Sequence, residues 1–207
     1  MKEAGERAWL LSWEDDDEEA ANRRAVAAWR RLAAAPPPGL LDAVPAARSL
    51  LVRGGERLDP GLLEGLEAEL AAGDPPAAAP GRRHEIAIVP GGVDLAEVLD
   101  RTGLDAAAFW EAFLGSRFRV GFVGFAPGFP YLYGLPRELH LPRRSTPREA
   151  VPAGSVALAG PYAGVYPSVL PGGWNLVATT AVRLFDPGAD PPARLAPGDE
   201  VHFTLSS

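Results

Sequence analysis

The chain contains no cysteine. That excludes a disulfide framework, a thiolate nucleophile and a cysteine-based zinc site. Only three histidines are present, His84, His140 and His202. They are far apart in sequence, without the short spacings of metal ligands, so no metal site is expected. No apolar run is long enough to cross a bilayer. The first apolar stretch, Ala8 to Leu11, is too short for the core of a signal peptide. An excess of basic charge is missing too: the formal net charge is -7, which argues against a nucleic-acid binder relying on a basic face. There is neither a G-x-G-x-x-G after a strand nor a G-x-x-x-x-G-K-[ST] phosphate loop. Ser155, in Ala153-Gly154-Ser155-Val156-Ala157, is not a nucleophile elbow, and satisfying a turn is its plainer role. A cytoplasmic protein with neither nucleic acid nor membrane as partner is expected.

What is present is apolar material for a core. Hydrophobic residues make up 47% of 207, enough for one large domain or two small ones. The first part alternates strand and helix. Ala8–Ser12 with Trp13 predicts a strand. The acidic run Glu14–Glu19 predicts a solvated helix start, where carboxylates meet unpaired N–H groups. Ala25, Val26, Trp29, Leu32 and Ala33 follow at helical spacing, and Pro36-Pro37-Pro38-Gly39 stops the helix. Ser49–Arg53 predicts a second strand. Asp59-Pro60 opens a second helix carrying Leu62, Leu63, Leu66 and Leu70, and Gly73 closes it. His84–Val89 alternates like a strand, so residues 1–89 are expected to form a small α/β lobe. Two short helices follow, capped by Asp94 and Asp105 and ended at Gly103 and Gly115. From Arg117 on helical spacing disappears. Short strands at 118–122, 156–159, 175–180, 182–185 and 201–205, separated by turn signals, predict a closed or nearly closed β-barrel over 90–207.

Three segments stand out as site material. "GFAPGFPYLYGLP" (Gly124–Pro136) carries too many breakers for a core strand and too many rings for a solvated loop. "LPRRSTPREAV" (Leu141–Val151) holds Arg143, Arg144 and Arg148 among Pro142, Pro147 and Pro152. Prolines lower the loop's entropy, and guanidinium forks suit carboxylate or phosphate. A solvated basic loop is the alternative. "GPYAGVYPSVLPGGWN" (Gly160–Asn175) sets Tyr162, Tyr166 and Trp174 among glycines and prolines. Rings supply pocket walls and Gly allows close approach. A barrel corner and a barrel core need the same residues.

These segments, together with "LPRRSTPREAVPAGSVALAG", "GVYPSVLPGGWNL" and "LFDP" in this order, closely resemble the family of allophanate hydrolase subunit 1. That family is also known as the B subunit of 5-oxoprolinase and as the Kip-type inhibitor of a sporulation histidine kinase. It resembles part of the carboxyltransferase domain (subdomain C and D) of urea carboxylase as well. The strong match runs from about Phe118 to the C-terminus, and a weaker one reaches back through "HEIAIV" and "SLLVRG" to the first strand. The resemblance implies an α+β chain: a ferredoxin-like N-terminal lobe followed by a cyclophilin-like β-barrel domain. It implies one component, not active alone, of an ATP-dependent 5-oxoprolinase-like complex that opens a lactam. The partners would be a subunit-C-like protein of homologous fold and a third subunit of another fold. ATP would be used by the complex, with no cofactor assigned to this chain. The alternative it implies is a regulator that inhibits a histidine kinase; prolyl isomerisation would follow from the fold alone, and fold is not function. On motif positions the resemblance places Phe129, Pro130, Arg143, Arg148, Ser155, Tyr166, Gly172, Gly173 and Trp174. Arg143 and Arg148 would bind an anion, Tyr166 and Trp174 would wall the pocket, and Gly172-Gly173 would admit close approach. The chain departs from the family pattern at Tyr162-Ala163, at Leu170 and at Ala178-Thr179-Thr180-Ala181, where polar residues including an Arg are usual.

Overall fold

A computed structural model describes residues 1–14, 17–74, 76–77 and 81–206. The chain divides into two compact units, Met1–Pro80 and Gly81–Ser207.

The first unit contains β1 (Lys2–Glu3), β2 (Ala8–Ser12), α1 (Glu18–Ala34), β3 (Leu40–Pro45), β4 (Ser49–Gly54) and α2 (Pro60–Ala71). Its sheet has the order β1-β2-β4-β3 with every pairing antiparallel. The two helices start as the sequence predicts. Asp17 accepts from the Glu19 N–H and Asp59 from the Gly61 N–H, each satisfying an orphan donor of the first turn. Asp15 and Asp16 of the acidic run lie outside the described residues. Alanines 21, 25 and 28 on α1 are fully buried and meet Leu11, Leu50, Val52 and Leu63 in one core. Arg24 is buried as well, and its guanidinium serves the α2 end by donating to the Leu70 and Gly73 carbonyls. The ferredoxin-like plan is met only in part. It needs a strand after the second helix beside the first strand, and here β1 occupies that edge.

That missing strand belongs to the second unit. β5 (Arg83–Pro90), expected to close the N-terminal lobe, pairs instead inside a barrel, so the division falls after Pro80 rather than after Val89. After it come α3 (Leu95–Thr102), α4 (Ala106–Gly115), β6 (Phe118–Val123), β7 (Pro130–Tyr133), β8 (Arg148–Val151), β9 (Ser155–Ala159), β10 (Tyr162–Val165), β11 (Leu170–Gly172), β12 (Asn175–Thr179) and β13 (Glu200–Leu205). Seven strands close a ring in the order β10-β7-β6-β13-β5-β12-β9 and back to β10. Only the β13–β5 pair is parallel. Residues 182–185, expected as a strand, contribute just a single bridge, Phe185 to Ala193.

The barrel core gathers Ile86, Ile88, Val120, Leu132, Val156, Leu158, Val177 and Phe203, with Phe109 and Phe113 of α4. A separate apolar cluster forms outside it from Phe129, Val151, Ala157, Ala159, Tyr166, Trp174 and Leu176. β9 explains how both can exist. All five of its residues are buried, because alternate side chains point to opposite faces: Val156 and Leu158 into the barrel, Ala157 and Ala159 into the second cluster. The β8–β11 ribbon covers that second face. The sequence pattern hides β7 behind its breakers. Pro130 takes the first strand position, where its missing N–H is tolerated, and Gly128 and Gly134 stand outside both ends at positive φ.

Candidate functional site

On the second cluster opens a cleft of about 230 Å³, lined by Phe125, Phe129, Tyr131, Arg143, Pro147, Tyr166, Pro171, Gly172, Gly173 and Trp174. Six of the residues expected at the site meet here: Phe129, Arg143, Tyr166, Gly172, Gly173 and Trp174.

The walls are rings packed edge to face. Phe129 lies 5.1 Å from Tyr166 and 5.3 Å from Trp174 between centroids, and Tyr131 lies 5.5 Å from Trp174. Such pairing directs ring edges at ring faces and fixes each plane. Phe129, Tyr166 and Trp174 are nearly fully buried, so the wall belongs to the fold as well as to the cleft. The floor needs small residues. A Cβ on Gly172 would collide with the Tyr166 hydroxyl, and one on Gly164 would lie 2.9 Å from the Trp174 ring. The close approach at Gly172 is therefore to Tyr166.

Arg143 is the cation of the cleft. Its guanidinium lies over the Trp174 ring, 5.9 Å from the centroid, and its charge acts on the Tyr131 phenol. It is exposed and makes no ion pair among the described residues. Both neighbours of Arg143 are tied down. The Pro142 carbonyl accepts from Asn175 Nδ2 at 3.1 Å, and the Arg144 N–H donates to the Gly173 carbonyl at 2.7 Å. A fork held this way loses little entropy on binding. Burial pushes the Tyr131 phenol up, against the opposing pull of Arg143. Burial also pushes Tyr166 up, outweighing its bond to the Trp174 backbone and the charges of Arg143 and Arg148.

Arg148 stands elsewhere than expected. Its Nη2 donates to Asp94 Oδ1 at 2.6 Å, and Arg144 Nη1 donates to the same oxygen at 3.0 Å. Asp94 Oδ2 accepts from the Leu176 N–H at 2.8 Å. Asp94 is buried and uses its carboxylate here, not on the start of α3, whose N–H groups its side chain leaves alone. Arg144 also reaches Glu97 at 2.7 Å and holds that carboxyl below its ordinary range. Two of the three loop guanidiniums are thus neutralised by carboxylates, which leaves Arg143 to meet an anion. Pro130 and Ser155 are buried at the starts of β7 and β9 and do not line the cleft. Reasoning from sequence missed Phe125, Tyr131, Asn175 and Asp94. A ring beside a Pro-Gly turn pointed to the first two; nothing local pointed to the others.

None of the departures from the family pattern, Tyr162, Ala163, Leu170 and Ala178–Ala181, lines this cleft, but Tyr162 and Leu170 pack against its walls, Tyr162 lying 5.4 Å from Tyr131 and 6.3 Å from Trp174 between centroids. Thr179, Thr180 and Ala181 edge a separate open hollow of about 460 Å³ with Val89 and Val182. A third cleft of about 260 Å³ is lined by Arg83, His84, Glu85, Arg117, Glu200, Val201 and His202. Within it Arg83 pairs with Glu200, and the His84 ring hydrogen-bonds the buried Asp199, which also accepts from the Arg82 and Ala196 N–H groups. No group of three or more His, Asp or Glu that could hold a metal occurs among the described residues.

The second unit is thus a closed barrel carrying an aromatic cleft, and the one guanidinium that lines this cleft, Arg143, has no carboxylate partner among the described residues. The chain belongs to the carboxyltransferase domain family, subdomain C and D, whose pattern it matches over residues 1–195. It is 51% identical over 113 residues to the B subunit of the 5-oxoprolinase of Escherichia coli, covering 55% of this chain and 52% of that protein. It is 42% identical over 146 residues to the B subunit of the 5-oxoprolinase of Haemophilus influenzae, covering 69% and 67%. The solved structure of TTHA0988 superposes with a TM-score of 0.83 at 42% identity, covering 97% of this chain and 40% of that one. The Kluyveromyces lactis urea amidolyase shares the fold, with a TM-score of 0.71 at 16% identity over all of this chain and 15% of the enzyme. The chain thus spans about half the length of the first of these relatives. No helix among the described residues is long and apolar enough to cross a membrane.

Proposed function

We propose that this chain is the B-type subunit of a 5-oxoprolinase-like complex that couples ATP hydrolysis to the opening of a lactam. It acts with a subunit-C-like partner and a third subunit, and its cleft holds the substrate's carboxylate on Arg143. The observation that carries the reading is the placement of Arg143: exposed, free of carboxylate partners among the described residues, and held over Trp174 within aromatic walls. A flat ring bearing one carboxylate fits that chemistry. The ring lies on apolar walls while the carboxylate meets the fork and the Tyr131 hydroxyl. Relatives at 42–51% identity carry the name of the 5-oxoprolinase B subunit, which supports a complex of several subunits. The regulator alternative draws on the same resemblance and on no separate feature of the structure.

The test is reconstitution with the two partner subunits and measurement of 5-oxoproline-dependent ATP hydrolysis. Turnover should require this chain. Arg143→Ala should lower kcat/KM by roughly 10- to 150-fold, the worth of a charge-assisted hydrogen bond of about 1.5–3 kcal/mol. Unchanged turnover without the chain would overturn the reading.

A further inference from the structure

We propose that Phe125 is a specificity-determining residue of the cleft, closing over a neutral ring and turning away the ring-opened product with its two added charged groups. The inference rests on the reading of the cleft given above. Phe125 lines the cleft yet is 60% exposed, whereas the adjoining wall ring Phe129 is 1% exposed. Its backbone is left-handed, at φ 68°. A bulky side chain is disfavoured there, and an exposed phenyl ring gains little from folding. Glycines were at hand to take that conformation: Gly124 precedes it, and Gly128 already takes the positive φ of the next turn. The loop fixes where the ring stands. The Gly124 N–H bonds the Phe129 carbonyl at 3.1 Å, and the Phe129 N–H bonds the Ala126 carbonyl at 3.0 Å across Pro127-Gly128. The ring then meets Phe129 edge to face at 5.5 Å. Two features that oppose folding thus coincide on the one ring that stands at the mouth of the cleft.

The chemistry of the choice follows. A lactam ring with one carboxylate presents apolar faces to Phe125 and Trp174. Addition of water across its amide C–N bond breaks that bond and leaves an ammonium and a second carboxylate. The ammonium is repelled by Arg143, and a carboxylate against phenyl is desolvated without a partner.

Isothermal titration of the full chain with 5-oxoproline and with glutamate, for wild type, Phe125→Gly, Phe125→Tyr and Arg143→Ala, tests this. Wild type should favour the lactam at least about tenfold, and Phe125→Gly should abolish most of that preference by weakening the lactam about tenfold. Phe125→Tyr should restore it. The thermal midpoint of Phe125→Gly should hold or rise, since glycine accepts the left-handed backbone. A fall in midpoint matching the loss of affinity would make the ring structural and overturn the proposal. Lactam binding weakened by Arg143→Ala but untouched by Phe125→Gly would overturn it while the cleft reading stands. No lactam binding by wild type would remove the reading itself, and the proposal with it.

Discussion

Gly172 is glycine because of Tyr166. The Tyr166 hydroxyl fills the space a Cβ would need, so Gly172→Ala forces either β11 or the ring to move. Overpacking of this kind costs about 1–3 kcal/mol, and chemical denaturation should find a loss in that range. Tyr166→Phe in the same chain should recover part of it, since the atom that collides first is gone. The same phenol makes stability depend on pH. Its pKa in the fold is raised above 10.0, chiefly by burial. A raised pKa means the folded state holds its proton more tightly than the unfolded chain. The contribution is therefore complete below pH 10 and is lost as pH climbs through the folded value. The thermal midpoint should fall above pH 10, and Tyr166→Phe should make that fall shallower. An identical slope in both proteins would assign the alkaline loss to other groups, Tyr131 first among them.

At the scale of elements, Asp94 ties the start of α3 to β12 and to the arginine loop with one carboxylate. Asp94→Asn keeps the shape and removes the charge that two partly buried guanidiniums rely on. It should cost about 1–3 kcal/mol by denaturation and weaken the proposed binding of 5-oxoproline, although Asp94 does not line the cleft. Unchanged affinity would show that the loop holds Arg143 without it. Asp94 also marks where sequence reasoning stops. Asp59 and Asp105 read as helix caps and are caps, bonding Gly61 and Ala108. Asp94 carries the same local signal, yet its partners come from 50 and 54 residues further on, which a local signal cannot contain. β7 failed for another reason: its prolines and glycines sit at the strand's ends, and composition alone counts them as if inside. The rings and glycines of the site were legible as a set because a cleft needs both kinds. Which of three neighbouring arginines stays free was not, because that depends on carboxylates brought in by folding.

The barrel as a whole is closed by the strand that comes last in its sequence. β13 lies between β5 and β6, running parallel to the first along six residue pairs and antiparallel to the second. Closing the ring therefore joins Arg83 to Glu200, and such distant pairing has to wait for the whole unit. Phe203 is the point at which that closure is secured. It is fully buried, stacked 5.1 Å from Phe113 and edge to face 5.3 Å from Phe118, so one ring joins β13, α4 and β6. Phe203→Ala should cost about 3–5 kcal/mol. The loss should register in hydrogen exchange throughout β5, β6 and β13, because strands in a closed ring share one opening. Leu50 and Val52 belong to the separate core of the first unit, and their amides should keep their protection. Equal loss of protection at Leu50 and in the barrel would mean that the two cores open together, and the division after Pro80 would then be one of shape without being one of stability.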